Sequence, residues 1–460
     1  MATRKQLITY FVAALAGVLL SSCAVVDPNR VLSRSASQPT PFPTTPFPMP
    51  DTDWRERALD FVWTTVNERY YDPNLNGVDW KAVRTRYEPL LKAAKSDDEY
   101  WELLDKMTGE LSDSHTRIHP PKLVAQQRSN ESHSLGLGFA ELGTGSGAAL
   151  TVTTVHPQSD AFWAGVRPGM TIRMIDGEPA LEKYRALLST VRKSSTEWAR
   201  TRGAVRKITA GDLDSSITMQ FVRQDGSTID ATMKRRKFVP PFDFTHRVLP
   251  SGFGYVRFSG FNGSFEEAIK AEIRRMKDTP GMIIDLRNNG GGSGGMAADL
   301  IAEFLKDDFK GGRVLTRTGK PITVFFYPVI KTEAAIKGRG AAAYTKPVVV
   351  LTNEFSASAS EMFTMALKEA NRVTVVGERT CGCLLGYMGL ADVPGGAQMA
   401  YSEIGYLNRD GSRVEGNGIA PDLAVPPSRD DLLLNRDRVL ERAVAYLQAA
   451  TSAIPPAANK

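Results

Sequence analysis

From about Phe244 onward, short apolar runs alternate with stretches of helical periodicity, and this alternation constrains the fold most. Gly254-Tyr-Val-Arg-Phe258, Gly281-Met-Ile-Ile-Asp-Leu286, Pro347-Val-Val-Val-Leu351 and Val373-Thr-Val-Val376 read as strands. Between them lie a helix through Met276 capped by Ser264, with apolar positions Phe265, Ala268, Ile269 and Ile273, and a second helix over Met296–Leu305. Continuous apolar strands separated by amphipathic helices require layers, with helices covering a buried sheet. An amphipathic helix from Leu432 to Leu447 closes the region.

One connection in this region stands out. Asn353-Glu-Phe-Ser356-Ala-Ser358-Ala-Ser360-Glu361 joins a strand to a helix, Met362 to Ala370. A hydroxyl at such a turn sits beside the free N–H groups of a helix N-terminus, where developing negative charge is stabilised. The segment alone reads first as a serine cap, and it does not say which of three serines matters. A second turn, Arg287-Asn-Asn-Gly290-Gly-Gly-Ser-Gly-Gly295, also lies between strand and helix. Its Gly292-Ser-Gly294-Gly-Met-Ala297 fits a dinucleotide-binding fingerprint, but the next strand, near Gly312–Arg317, ends without the acid that would hold a ribose.

The N-terminus has its own logic. Arg4 and Lys5 precede an apolar stretch from Leu7 to Leu20, followed by Ser-Ser-Cys23. This pattern describes an export signal over 1–22, too short for a secure membrane span, and it resembles a bacterial lipoprotein signal with Cys23 as the lipidated residue. Ala24 stands where an aspartate would resemble an inner-membrane retention signal, so lipid-anchored placement in the cell envelope, at the outer membrane, is expected. Residues 23–53 carry six prolines between Pro39 and Pro50 and read as an extended linker. Residues 449–460 read as a flexible tail. Apart from the lipidated Cys23, the mature chain would keep only Cys381 and Cys383, too close in sequence for an unstrained bridge; with five scattered histidines, they give no disulfide framework and no metal pattern. The net charge of +6 is dispersed, and the basic run Lys234-Arg-Arg-Lys237 reads as a solvated edge, with no nucleic-acid partner expected.

Residues 54–123 form a helical region. Leu59, Val62, Trp63, Val66 and Tyr70 share one helical face, and Ser96 with Glu99 makes a capping box for a second helix that stops near Gly109. Ser114-His115 then falls on a loop. Residues 134–237 resemble a PDZ domain: Leu135-Gly136-Leu137-Gly138-Phe139 matches its carboxylate-binding loop, and Ala164-Gly-Val-Arg-Pro-Gly-Met170 through Asp176-Gly177 matches a second characteristic segment. Met170 replaces the usual aspartate there. The resemblance implies capture of a peptide terminus by Gly136, Leu137, Gly138 and Phe139 through converging N–H groups and an exposed strand edge. Segment 190–212 reads as an insertion without an assigned role.

As a whole, residues 54–448 resemble the C-terminal (tail-specific) processing peptidases, a family that includes the tricorn protease core. The resemblance rests on Asp285-Leu-Arg-Asn-Asn289 with its glycines, Ser356 to Glu361, Val376-Gly-Glu-Arg-Thr380 and Gly418-Ile-Ala-Pro-Asp422, in family order. It implies an α+β and α/β multidomain protein: a helical region, a PDZ-like domain and, over 244–448, a core similar to crotonases and Clp-type proteases. It implies no cofactor and no metal, polypeptide substrates recognised at their C-termini, Ser358 as nucleophile, and an oxyanion hole from Ala359 and the Gly290–Gly292 turn, with Gly291 the donor. The departure from the family is at Gly377-Glu-Arg-Thr-Cys-Gly-Cys383, where Cys383 replaces the activating lysine of the Ser–Lys branch, and a thiol is a poor base. The tricorn-like branch uses histidine, and Ser114-His115 with Glu415-Gly-Asn-Gly-Ile fits it. By that resemblance His115 is the base, and Ser114 and Glu415 orient and polarise the pair, with Glu403 an alternative acid. A catalytically inactive relative that binds protein tails is the other function this pattern allows.

Overall fold

The computed structural model describes residues 53–452 apart from 130, 239–241, 325 and 326. The export signal, Cys23, the proline-rich segment up to 52 and the tail from 453 lie outside the described residues. No helix among the described residues is long and apolar enough to cross a membrane.

The layered region is a six-stranded sheet in the order Phe244–Val248, Gly254–Phe258, Met282–Asp285, Val348–Thr352, Val373–Gly377, Leu423–Ala424. The first pair is antiparallel and every later pair is parallel. Strand side chains alternate faces, so the unbroken apolar runs serve two cores at once. Met282, Ile284, Val348 and Val350 pack with the helices Glu266–Arg275, Gly294–Ala302 and Ala359–Glu369. Ile283, Val349 and Leu351 face the other way, onto Ala443 and Leu447 of the C-terminal helix Arg438–Ser452.

Some element ends differ from expectation for local reasons. Asn262, not Ser264, begins the helical turn, its side chain accepting from Ser264 N–H, and the α-helix starts at Glu266. Ser293 caps the following helix, which therefore begins at Gly294 rather than Met296. The expected helix from Leu432 to Leu447 is two, Arg429–Leu433 and Arg438–Ser452, because Asn435 adopts φ +49° and ends the first.

The N-terminal helices Asp53–Arg69, Trp80–Lys92 and Asp97–Gly109 build a core around Val62, Tyr70, Tyr100 and Leu104. The capping box at Ser96 is half formed: Ser96 Oγ accepts from Glu99 N–H, while Glu99 accepts from Lys95 N–H. Leu385, Val393, Met399 and Tyr401, from late in the chain, complete the same core. A three-stranded sheet, Arg117–His119 with Ala397–Ala400 and Ala391–Val393, fixes this union. His115 sits just before its first strand.

Residues 134–237 form an antiparallel sheet, Leu137–Leu142, Ala149–Val155, Thr171–Ile175, Ser216–Val222, Thr228–Lys234, with Leu137–Leu142 on an edge. The segment expected to be an insertion belongs to this domain. Its helix Glu197–Thr209 buries Ala204 and Ile208 in the domain core, and Thr209 C=O accepts from Leu135 N–H. The basic run is largely exposed and makes contacts within the domain: Arg235 donates to Ile208, Ala210 and Ser215, Arg236 pairs with Asp160, and Lys237 pairs with Glu131.

Candidate active site

Three loops leave the C-terminal ends of adjacent parallel strands: the glycine turn after Met282–Asp285, the serine loop after Val348–Thr352, and the Thr380–Cys383 loop after Val373–Gly377. Binding crevices form at this edge of an open α/β sheet. The loops are tied to one another by hydrogen bonds that distinguish the three serines. Ser356 Oγ donates to Leu286 C=O at 2.7 Å and Ser360 Oγ to Asn289 C=O at 2.9 Å, and both residues are fully buried. The middle hydroxyl is left for chemistry.

Ser358 occupies the N-cap position of a capping box with Glu361, whose carboxyl accepts from Ser358 N–H. Its backbone lies at φ +55°, ψ −116°, outside the left-handed helical well, a conformation held by its surroundings. Its N–H donates both to Cys383 C=O and to Glu361 Oε2, each at 3.1 Å. Its Oγ lies 3.3 Å from His115 Nε2. Residues 243 apart in sequence thus meet at hydrogen-bond distance.

His115 has a pKa below the ordinary histidine value, chiefly because burial disfavours the imidazolium; Asp113 opposes that shift and Arg117 adds to it. The ring is therefore neutral at neutral pH. Its Nδ1 is buried and has no hydrogen-bond partner among the described residues, so no carboxylate holds the far side of the ring. Asp113, fully buried, instead braces the loop: its carboxylate accepts from His115 N–H at 2.6 Å, from Thr116 Oγ1, and from Ser402 Oγ at 2.7 Å.

Ser114 and Glu415 do not reach the imidazole. Ser114 Oγ is engaged by Ser194 Oγ, Ser195 Oγ and Ser195 N–H at 2.8, 2.9 and 3.1 Å, and donates to Cys383 Sγ at 3.4 Å. Glu415 is buried with both carboxyl oxygens lacking a well-aligned partner; burial and the Asp113 charge push its pKa well up, and the adjacent Ser195 hydroxyl draws it down. Glu403 lies elsewhere, accepting from Met388 N–H.

The expected oxyanion pair also needs amendment. Gly291 N–H donates to Asn289 Oδ1 at 3.0 Å and is thereby committed. Among the described residues, Ala359 N–H makes no bond outside its own helix, and the N–H groups of Gly290 and Gly292 make none. The glycines allow close approach within the chain itself: a Cβ on Gly291 would lie 2.7 Å from Ala357 C=O and Ser358 Cβ, and one on Gly292 would lie 2.4 Å from Phe261 C=O. The turn that fitted a dinucleotide fingerprint is packed on this chain's own backbone.

Cys381 and Cys383 are joined as a disulfide, so the residue at the position of the family lysine is not a thiol. Glu361, which carried no assigned role, organises this loop. Its buried carboxyl accepts from Ser358 N–H, Thr380 Oγ1, Gly382 N–H and Cys383 N–H, and burial pushes its pKa to about 7 against the pull of those donors. The Ser358-x-x-Glu361 spacing was a legible sign of an N-terminal cap; nothing in the sequence joins residue 195 to residue 114.

A cleft of about 960 Å³ opens on Ser358 and His115, walled by Met362, Met365, Leu384 and Tyr406. In the β domain Gly136 has φ +63°, Leu137 and Phe139 are buried in the domain core, and the edge strand they begin runs beside the helix Glu197–Thr209.

Comparison with known proteins gives a consistent picture. The model for peptidase family S41 matches residues 252–425, and that for the tricorn protease C1 domain matches residues 50–109. A tricorn protease homologue (homolog 2) of Streptomyces coelicolor is 27% identical over 89% of this chain and 33% of its own length. The chloroplastic C-terminal processing peptidase of Tetradesmus obliquus is 28% identical over 80% of this chain and 76% of its own. The chain thus spans about a third of the tricorn homologue. Among solved structures, mature CPAF superposes with a TM-score of 0.64 at 16% identity, covering 86% of this chain and 96% of its own. The photosystem II D1 C-terminal processing protease gives 0.53 at 24%, covering 82% and 94%. These likenesses establish a mixed α/β multidomain fold.

Proposed function

We propose that the chain, whose residues 252–425 match the model of peptidase family S41, is a member of that family and a serine-type endopeptidase working through Ser358 and His115. One observation carries the reading: His115 Nε2 stands 3.3 Å from Ser358 Oγ, while Cys383 stands where the family's Ser–Lys branch has its lysine. Ser358 Oγ attacks the scissile carbonyl while His115 Nε2 takes its proton. Ala359 N–H, with Gly290 or Gly292 N–H, receives the oxyanion; Gly291 N–H joins only if it leaves Asn289. His115 returns the proton to the leaving amine, and then activates the water that hydrolyses the acyl-enzyme. Asp113 favours the transient imidazolium through its charge, and Ser114 and Glu415 act at one remove.

The relatives' names speak of C-terminal processing, and the edge strand beginning at Gly136 supports the same for this chain. In this reading residues 134–237 act as a PDZ domain, with an extended substrate tail lying between Leu137–Leu142 and the helix Glu197–Thr209. Cys23 anchors the mature chain by lipid in the cell envelope. The committed Gly291 N–H favours one second reading, a tail-binding relative without turnover.

A loosely folded reporter protein with an apolar C-terminus decides between them. Wild-type protein should cleave it, and Ser358→Ala and His115→Gln should each lower kcat at least about a thousandfold. Binding without cleavage by the wild type leaves the second reading; unchanged turnover in Ser358→Ala overturns the first.

A further inference from the structure

Residues 192–198, which belong to the β domain, reach into the peptidase core and grip both halves of the reactive pair. Arg192 Nη2 donates to Asp113 C=O at 3.0 Å and to Thr116 C=O at 2.8 Å, straddling His115 from both sides along the chain. Its guanidinium is buried, and Asp105 is its acidic neighbour at 3.6 Å. Ser195 makes a reciprocal clasp with the residue before His115. Ser114 N–H donates to Ser195 Oγ at 3.0 Å, Ser195 N–H donates to Ser114 Oγ at 3.1 Å, and Ser195 Oγ donates to Ser114 Oγ at 2.9 Å.

The next two contacts go to the other half. Thr196 Oγ1 donates to Cys381 C=O at 2.8 Å and Trp198 Nε1 to Thr380 C=O at 3.2 Å. That loop carries the Cys383 C=O that receives Ser358 N–H. Gly382 admits Thr196 closely, since a Cβ there would lie 2.8 Å from Thr196 Cγ2. Among the described residues the ring of His115 has no partner on Nδ1, and Ser358 is the one group hydrogen-bonded to the imidazole.

We infer that Arg192, Ser195 and Thr196 are positioning residues: a clamp lent by the β domain that holds the His115 loop and the Thr380–Cys383 loop at the separation proton transfer needs. Proton transfer is steep in donor–acceptor distance, and small misplacements of a catalytic group cost large factors in rate. The clamp acts on orientation and leaves the substrate cleft untouched, so its loss appears in kcat rather than KM. The inference rests on the Ser358–His115 reading and adds to it the residues that keep the pair in register.

The test is kinetic and uses the full chain with the reporter described above. Ser195→Ala removes the hydroxyl clasp and should lower kcat about tenfold with KM within about twofold, at an unchanged melting temperature. Ser195→Thr keeps a hydroxyl and should restore kcat to within about threefold of wild type. Arg192→Lys should be intermediate, since an ammonium can donate to both carbonyls but its shorter stem does not reach the place of Arg192 Nη2. Wild-type kcat in Ser195→Ala overturns the clamp, as does a kcat loss that merely tracks a fall in melting temperature in both Ser195 variants. Failure of the underlying reading is separately visible: Ser358→Ala would then stay active, whereas a failed clamp leaves Ser358→Ala and His115→Gln inactive.

Discussion

A serine at φ +55°, ψ −116° costs about 1–3 kcal/mol in backbone strain and persists only where its neighbours overdetermine it. At Ser358 those neighbours are Cys383 C=O and Glu361 on its own N–H, and Asn289 C=O receiving Ala357 N–H and Ser360 Oγ on either side. They hold the hydroxyl within hydrogen-bond distance of His115 Nε2. The histidine's depressed pKa gives the expected pH dependence with a definite sign. The neutral base persists below the ordinary value of about 6.5, so the acid limb of kcat/KM should fall at lower pH than that. The same shift means the unfolded chain binds the proton more readily between the two pKa values, so this residue's contribution to stability rises with pH across that window. An acid limb at or above 6.5 would contradict the burial of the ring.

At the scale of elements, the glycine turn and the N-terminus of the helix Ala359–Glu369 form one packed unit. Gly291 at φ +95° has no room for a Cβ against Ala357 C=O, Ser358 Cβ and Ala359 N. Gly291→Ala must displace the serine loop, so kcat should fall about a hundredfold, the scale of one lost oxyanion donor. Reporter kinetics with a fluorophosphonate label to count competent sites would check it, and near-normal kcat would show that the loop moves without harm. The packing was partly legible beforehand: a strand, a small-residue turn and an amphipathic helix were readable from residues 347–370, as was the neighbouring glycine run. Which N–H groups stay free was not, because Asn289 folds back on Gly291 through a side-chain bond that no periodicity encodes.

At the scale of the whole molecule, the site is assembled from both ends of the chain. His115 hangs from helices whose core is completed by Leu385, Val393, Met399 and Tyr401, and the β domain reaches in through residues 192–198. The proposed substrate capture also belongs here, since the edge strand Leu137–Leu142 lies on a different sheet from the one whose loops carry Ser358. A fluorescent peptide with an apolar C-terminus and a free carboxylate should bind Ser358→Ala protein, and its C-terminal amide should bind at least about tenfold more weakly, a difference of about 1.4 kcal/mol. Equal affinity for acid and amide would remove the terminal carboxylate from recognition.

The sequence alone determined the layered architecture, because unbroken β-branched strands spaced by amphipathic helices bury themselves in few ways. It also singled out Ser358 and His115, through a small-residue turn and through likeness to a family whose usual lysine is missing. Tertiary structure decided what spacing cannot carry. It bonded Cys383 to Cys381, committed Gly291 N–H to Asn289, turned Ser114 away from the imidazole toward Ser195, and made the expected insertion at 190–212 part of the β-domain core and a clamp. Each of these is a contact between residues remote in sequence or a choice among competing local partners. Local pattern has no term for either, because the energy that settles them comes from burial and hydrogen bonding in the closed chain.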